Sequence, residues 1–554
     1  MRYRWRWPAT SARWPPASPL RWTLVACLAV AIPGLSVALI ALRSQPPAPH
    51  HPPRLDPPGP AAPAVRVCGN GSILGRGPTT PPRGAVVVRA GDDSAVNWAR
   101  PRTTYWFAPG RHILGKSVYA QVIPGARSRY IGAPGAVLDG RNRNAIAFGG
   151  DVPGVTIEYL TIENFIAPGN QAAVNASGAP GWVIKYDTVQ DIVPGIALFA
   201  GTNSTVDYNC LTRNGQSAFG TYTVHDVNRV TKGASNVVIN DNEISYNDTC
   251  DWENEAQFPG PTPPSRCRGA GENEDCGCSA GGKFWQTNGG EFDDNYVTDN
   301  YSVGVWWDTN NTGFEIEGNY ISGNYADGLI YEISYNALIR NNAFVRNGLG
   351  AGASHPGVAV GAIYISESGS DHRVPGPYGH AFEITQNSFQ DNWAGVLLWE
   401  NANRFCNSPV NTSTDSCTLV SRAATLRSCD RGNIARPPYY SDCRWKTQNV
   451  LVEHNLFYLR RSAIGPSCTV ARGCGWQGLY SEYGSYPAWS PYTGTVIERR
   501  ITLDQNNRFV ANTYVGPWRF LVRQQGTKIG WGGWRSGPYH QDAGSKLLRT
   551  ATLR

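Results

Sequence analysis

Outside its first 43 residues this chain has almost no net charge. Those residues hold six arginines (Arg2, Arg4, Arg6, Arg13, Arg21 and Arg43) and no acid, which accounts for all but one unit of the formal net charge of +7. A nearly neutral body lacks the basic face that phosphate binding requires, so nucleic acid is excluded as a partner. Zinc-type spacing is missing too: none of the 13 cysteines sits in paired CxxC or Cys/His arrangements. His225, His380 and His454 share no metal-like spacing and read as structural or surface residues. The body shows neither helical periodicity nor the LxxLxL pattern, which removes helical and leucine-rich solenoids.

Only one long apolar run is present, WTLVACLAVAIPGLSVALIAL from Trp22 to Leu42, and it carries no charge. About 20 such residues span a bilayer as a helix, and the preceding arginines place the N-terminus in the cytoplasm. The expected layout is a basic cytoplasmic segment (1–21), a transmembrane signal anchor (22–42), a Pro-rich linker (44–67) and a body over 68–545. A cleavable signal peptide is the competing reading of 22–42, disfavoured by the lack of a small-x-small cleavage site. Either way the body is extracytoplasmic, membrane-anchored or secreted, with membrane contact only through that helix, and is expected to be a monomer. Cysteine use agrees: Cys27 lies in the apolar run, leaving twelve outside. Cys406/Cys417, Cys429/Cys443 and Cys468/Cys474 read as loop staples in an oxidising compartment, whereas Cys250, Cys267, Cys276 and Cys278 can pair in more than one way.

What the body does have is a repeat. FEIEGNYISGN (314–324), ALIRNNAFVRN (337–347) and FEITQNSFQDN (382–392) are its best copies, with VVINDNEISYN (237–247) and GEFDDNYVTDN (290–300) beside them. Weaker copies fall at 182–191, 204–214, 448–459 and 501–512. Apolar residues alternate, an Asn follows, and a second Asn closes the unit. Asn295, Asn319 and Asn342 recur at spacings of 24 and 23 residues, a period that signals a solenoid of short strands. Stacked coils would align such Asn side chains in hydrogen-bonded ladders, so Asn295, Asn319, Asn342 and Asn387 are expected at one corner. The repeated Asn are structural.

These units resemble the parallel β-helix repeats of the pectate-lyase-like superfamily, in its secreted bacterial type, over roughly residues 100–520. TTYWFAPGRHIL (103–114), YIGAPGAVLDG (130–140), GGKFWQT (281–287), YEISYNALIRNN (331–342) and WRSGPYHQDAGS (534–545) also resemble stretches of such proteins. The resemblance implies an all-β, right-handed parallel β-helix with long surface loops. It implies carbohydrate chemistry less strongly, because the superfamily holds lyases, hydrolases, epimerases and adhesins.

The repeat supplies a register for candidate chemistry. Asp308, Glu332 and Glu400 each lie eight residues after a closing Asn (Asn300, Asn324 and Asn392). Glu367 ends the intervening coil, after a loop. Four successive coils therefore place an acid in one apparent column of one sheet, with Asp308 and Glu332 ~5 Å apart. Repulsion between stacked carboxylates raises the pKa of some of them, as a proton-sharing pair requires. Trp306, Trp307, Tyr331, Tyr364 and Trp399 flank the column, and alternation turns one of each neighbouring pair outward. Such rings suit sugar stacking; Trp307, Tyr331 and Trp399, with Glu400, are the substrate-binding candidates. Lys283 could neutralise the column or act as a base. Loop insertions at 250–282 and 403–447 would bracket it.

The first functional expectation is a glycoside hydrolase acting on a polysaccharide, with Asp308, Glu332, Glu367 and Lys283 as the catalytic set and no required cofactor. Glu332 is favoured as the acid, since Lys283 would keep Asp308 ionised. A polysaccharide lyase is the alternative; it would need Ca²⁺ to offset the acids before a uronate could approach. A non-catalytic glycan-binding or adhesive protein is the third reading.

Overall fold

A computed structural model of the chain describes residues 65–115, 119, 121–221, 233–250, 267, 279–355, 360–374, 379–408, 417, 421, 423–482, 487–522 and 527–548. The chain divides into residues 1–54 and 55–554, and the first unit, with the apolar run at 22–42, lies outside the described residues. Among the described residues no helix is long and apolar enough to cross a membrane.

The body is an all-β parallel β-helix. Its strands form three sheets of 13, 12 and 14 strands, and successive coils add one strand to each. One coil shows the plan: Val303–Asp308 lies in the 12-stranded sheet, Thr312–Glu317 in the 13-stranded sheet and Tyr320–Ser322 in the 14-stranded sheet. All named strand pairs are parallel except Arg519–Val522 with Thr527–Ile529, which closes the C-terminal end.

Strands of two to seven residues cannot hold a fold alone, so stacking supplies the core. Phe292, Ile316, Ile339, Ile384, Val452 and Phe509 occupy one inward column, register to register, and all are buried. On the 14-stranded sheet the column runs through Phe344, Phe389, Phe457 and Tyr514, with ring centroids 5.1, 4.5 and 4.9 Å apart. Each such side chain contributes about 1.5–3 kcal/mol by leaving water.

The corners are held by asparagine, as the repeat predicts. Asn295, Asn319, Asn342 and Asn387 stack at one corner, each side-chain carbonyl accepting from the backbone and side-chain N–H of the Asn one coil earlier. The ladder extends from Asn209 to Asn512. A second one runs from Asn214 through Asn247, Asn300, Asn324 and Asn347 to Asn392. The left-handed backbone at these corners belongs to the residue before each Asn. Asp294, Gly318, Asn341 and Gln386 have φ of 54°, 69°, 54° and 56°. Gly318 is favoured there twice over, since a Cβ would also come within 2.3 Å of Asp294 Oδ1.

Asn319→Leu should therefore be costly out of proportion to its size. It strands the Asn295 backbone N–H and removes the side-chain bonds to the Asn295 amide and to the Phe292 and Glu317 carbonyls, while Asn342 Oδ1 keeps only the backbone N–H of residue 319. At about 1–3 kcal/mol for a buried group left unpaired, a loss of about 3–5 kcal/mol is expected in denaturant titration.

Disulfides join Cys406–Cys417, Cys429–Cys443 and Cys468–Cys474, the three loop staples expected. Cys250 pairs with Cys267, and Cys68 fastens the start of the body to Cys210. Cys276 and Cys278 lie outside the described residues.

Candidate active site

The 12-stranded sheet presents the candidate chemistry. Its parallel register pairs Trp307 with Tyr331 and Asp308 with Glu332, so the two carboxyls stand on adjacent coils ~4.8 Å apart at the backbone. Alternation then fixes the faces. Phe284, Trp307, Tyr331, Ile365 and Leu398 point into the core, whereas Trp306, Asp308, Glu332, Tyr364, Ser366 and Trp399 lie on the outer positions.

Two acids depart from the expected column. Glu332 pairs with Ser366, and Ser366 with Trp399, so Glu367 and Glu400 each stand one residue past it. For Glu400 the cause is a corner shortened by one residue. Val305 and Leu329, in register, each begin their pairing five residues after a closing Asn, whereas Val396, in the same column, follows Asn392 by four. A one-residue shift turns a side chain to the other face. Glu400 accordingly turns inward, buried, and is held by Arg444, by Gln505 and by the Thr447 N–H at 2.9 Å. It stands off the outer column in which the sequence placed it for substrate binding.

Glu367 sits in the corner with φ of 45°. Thr309 and Ile333 occupy the same corner, also at 45°, a conformation costly for β-branched residues. Its carboxylate accepts from Ser366 Oγ at 2.5 Å and from the Asn401 N–H. Glu367 is fully buried, one residue past the outer column.

Trp307 and Tyr331 are also corrected. Both are wholly buried, with centroids 5.8 Å apart, and Trp307 stacks on Phe284 at 4.9 Å. They are core. The outward rings are Trp306, Tyr364 and Trp399, the last two with centroids 6.2 Å apart. Of the three substrate-binding aromatics expected, only Trp399 faces the site.

Lys283 stands where the sequence suggested. Its Nζ lies 2.9 Å from Asp308 Oδ2 and 4.3 Å from the Trp306 ring centroid, and Thr309 Oγ1 donates to the other carboxylate oxygen at 2.8 Å. The residue that sequence reasoning missed is Arg404. It comes from the 403–447 excursion and bridges Glu332 and Glu367, with 2.9 Å to the latter. A signal existed: buried carboxyls require a cation, and Arg404 is the first base after the last acid. Much of the other excursion, 250–282, lies outside the described residues.

No family model matches the chain, and no curated protein matches it. The A-module of a mannuronan C-5 epimerase from Azotobacter vinelandii superposes with a TM-score of 0.37 at 9% identity, over 80% of this chain and 88% of that one. The catalytic unit of an α-1,3-glucanase from Streptomyces thermodiastaticus gives 0.41 at 12%, over 80% and 63%. A surface adhesin of Streptococcus pneumoniae gives 0.28 at 12%, over 53% and 79%. Superpositions this loose carry no argument about the site, and the β-helix stands on its own strand pairing.

Burial and charge act on the two glutamates in opposite directions. Burial pushes the Glu332 carboxyl up, Arg404 opposes that shift, and repulsion from Asp308 adds to it. Burial likewise pushes Glu367 up, to about 7, with Arg404 opposing. The five groups form a chain, Lys283–Asp308–Glu332–Arg404–Glu367, of three carboxyls against two cations. One proton shared on the glutamates leaves it neutral. Among the described residues, Lys283 and Arg404 already occupy oxygens of all three carboxylates, leaving fewer free ligands than the six to eight oxygens calcium takes. Among the described residues the one metal-like cluster found is Cys406, Cys417 and Cys429, whose sulfurs are in disulfides.

Proposed function

We propose that this protein is an extracytoplasmic polysaccharide-active enzyme, a glycoside hydrolase whose working pair is Asp308 and Glu332. The observation that carries the reading is their adjacent register, with Asp308 on Lys283 and Glu332 buried. Retaining glycosidases hold two carboxyls roughly 5–5.5 Å apart, inverting ones roughly 6.5–9.5 Å; a backbone spacing of ~4.8 Å between adjacent coils favours the shorter one. Asp308, held by Lys283 and Thr309, attacks the anomeric carbon. As the glycosidic C–O bond breaks, Glu332 gives its proton to the leaving oxygen. Water then cleaves the Asp308 ester, and Glu332 takes back a proton. Trp399, Tyr364 and Trp306 offer faces for sugar rings along the same sheet.

A second reading is favoured by Lys283 and Arg404, which flank the pair. Proton abstraction beside a uronate carboxylate calls for such cations, and elimination would follow. Incubation with a panel of neutral and uronate polysaccharides separates the readings. New reducing ends without absorbance at 235 nm are expected. Both signals would transfer the site to lyase chemistry, and binding without product would leave the non-catalytic, adhesive reading.

A further inference from the structure

The outer face of the 14-stranded sheet carries a trough that the carboxylate site does not use. Its cavity of about 630 Å³ falls in the ~300–1,000 Å³ range of small-ligand sites. Two successive coils build it with the same insertion of tyrosine after each ladder Asn: Asn295-Tyr296 and Asn300-Tyr301, then Asn319-Tyr320 and Asn324-Tyr325. The coils on either side carry Glu243 and Ala343 where Tyr296 and Tyr320 stand. The rings are therefore local to the trough, not a property of the repeat.

The walls and floor differ in chemistry. Tyr296 and Tyr320 stack with centroids 5.1 Å apart and planes 20° apart, and the Arg66 guanidinium covers Tyr296 at 5.5 Å. Arg66 is itself fixed by Glu243 at 2.7 Å, two residues from the Cys68–Cys210 bond. The platform is thus preorganised. Between the tyrosine walls the floor is small and polar: Thr298 and Ser322 share a hydrogen bond of 3.1 Å, and Thr298 donates to Asp299 at 2.9 Å. Arg346 lines the same trough.

Aromatic walls with a hydroxyl-and-carboxylate floor suit a ligand apolar on its ring faces and hydroxylated at its rim. We infer that this trough is a second glycan-binding site, taking a short stretch of polysaccharide on a sheet other than the catalytic one. It would hold a long chain to the enzyme while another segment lies across Asp308 and Glu332. The ligand class rests on the function proposed above; the binding test is built to stand apart from catalysis.

The test is affinity electrophoresis of the full-length protein through gels containing laminarin, xylan, polygalacturonate or alginate. All forms carry Glu332→Gln, so that no matrix is consumed. At least one matrix should retard this parent. Tyr296→Ala with Tyr320→Ala should weaken that retardation at least tenfold, whereas Trp399→Ala should not abolish it. Tyr296→Phe with Tyr320→Phe should retain most of it. Ser322→Gln, which fills the floor and leaves both rings in place, repeats the test if the alanine pair unfolds. Retardation in no matrix, or retardation unchanged in both the alanine pair and Ser322→Gln, would overturn the inference. Hydrolysis of a panel glycan by the wild type alongside unchanged retardation would remove the trough and leave the proposed catalysis standing.

Discussion

Asp308→Asn and Glu332→Gln should each lower turnover of a cleavable polysaccharide by at least about 10³-fold, because each removes a group that acts only in the transition state. Their phenotypes should differ. Asn at position 308 removes the nucleophile and the partner of Lys283, so no glycosyl intermediate forms and no substrate escapes the block. Gln at position 332 removes the acid, so substrates with good leaving groups such as aryl glycosides should recover much of the first step. Lys283→Met should act through Asp308, whose carboxylate loses its ammonium partner at 2.9 Å, and should lower turnover while leaving the fold intact. Initial rates on polymer and aryl glycoside, with folding checked by thermal melting, decide the matter. Near-full activity in either carboxyl variant would eliminate the pair.

Arg404→Met should be the most destabilising single change at the site. Arg404 bridges Glu332 and Glu367, and its removal leaves two buried carboxyls without a cation. Breaking a buried ion pair from one side costs about 3–5 kcal/mol. The loss should depend on pH with a definite sign. Glu367 has a folded pKa of about 7, above its ordinary value of 4.5. Its contribution to stability is therefore full below pH ~4.5 and is lost as pH rises toward 7, a span worth on the order of 3 kcal/mol. Without Arg404 both glutamates lose the cation that lowers their pKa, so the decline should extend above pH 7. Urea titrations at pH 4.5, 6 and 8 should show the variant closest to wild type at the lowest pH. A pH-independent difference would mean that Arg404 acts through packing alone.

Much of the fold was legible in the sequence because a solenoid repeats its physics at fixed spacing. Asn at positions 295, 319, 342 and 387 announced the corner ladder, and alternating apolar residues announced the inward columns. The three short-range cysteine pairs were legible for the same reason: few residues separate them. Asp308 and Glu332 could be aligned by counting, since nothing is inserted or lost between their coils. Lys283, one strand earlier and two residues before Trp285, which is in register with Asp308, was within reach of the same count.

Counting failed where a corner changed length or a partner came from far away. The corner before Val396 is one residue short, which no local feature marks, and that single residue turned Glu400 from the outer face to the interior. Glu367 follows a loop, so its offset could not be counted, and the register placed Ser366 in its stead. Trp306 and Trp307 are adjacent and equally apolar; which of them faces the core depends on the phase of the whole strand, set by Phe284 and Phe314 packing beneath it. Arg404 lies 72 residues from Glu332 in the chain. Sequence alone determined the coil, its ladders and one pair of facing carboxyls. The cation that governs the buried one was decided by tertiary structure, because an ion pair is fixed by where an excursion returns to the sheet in space and leaves no period behind.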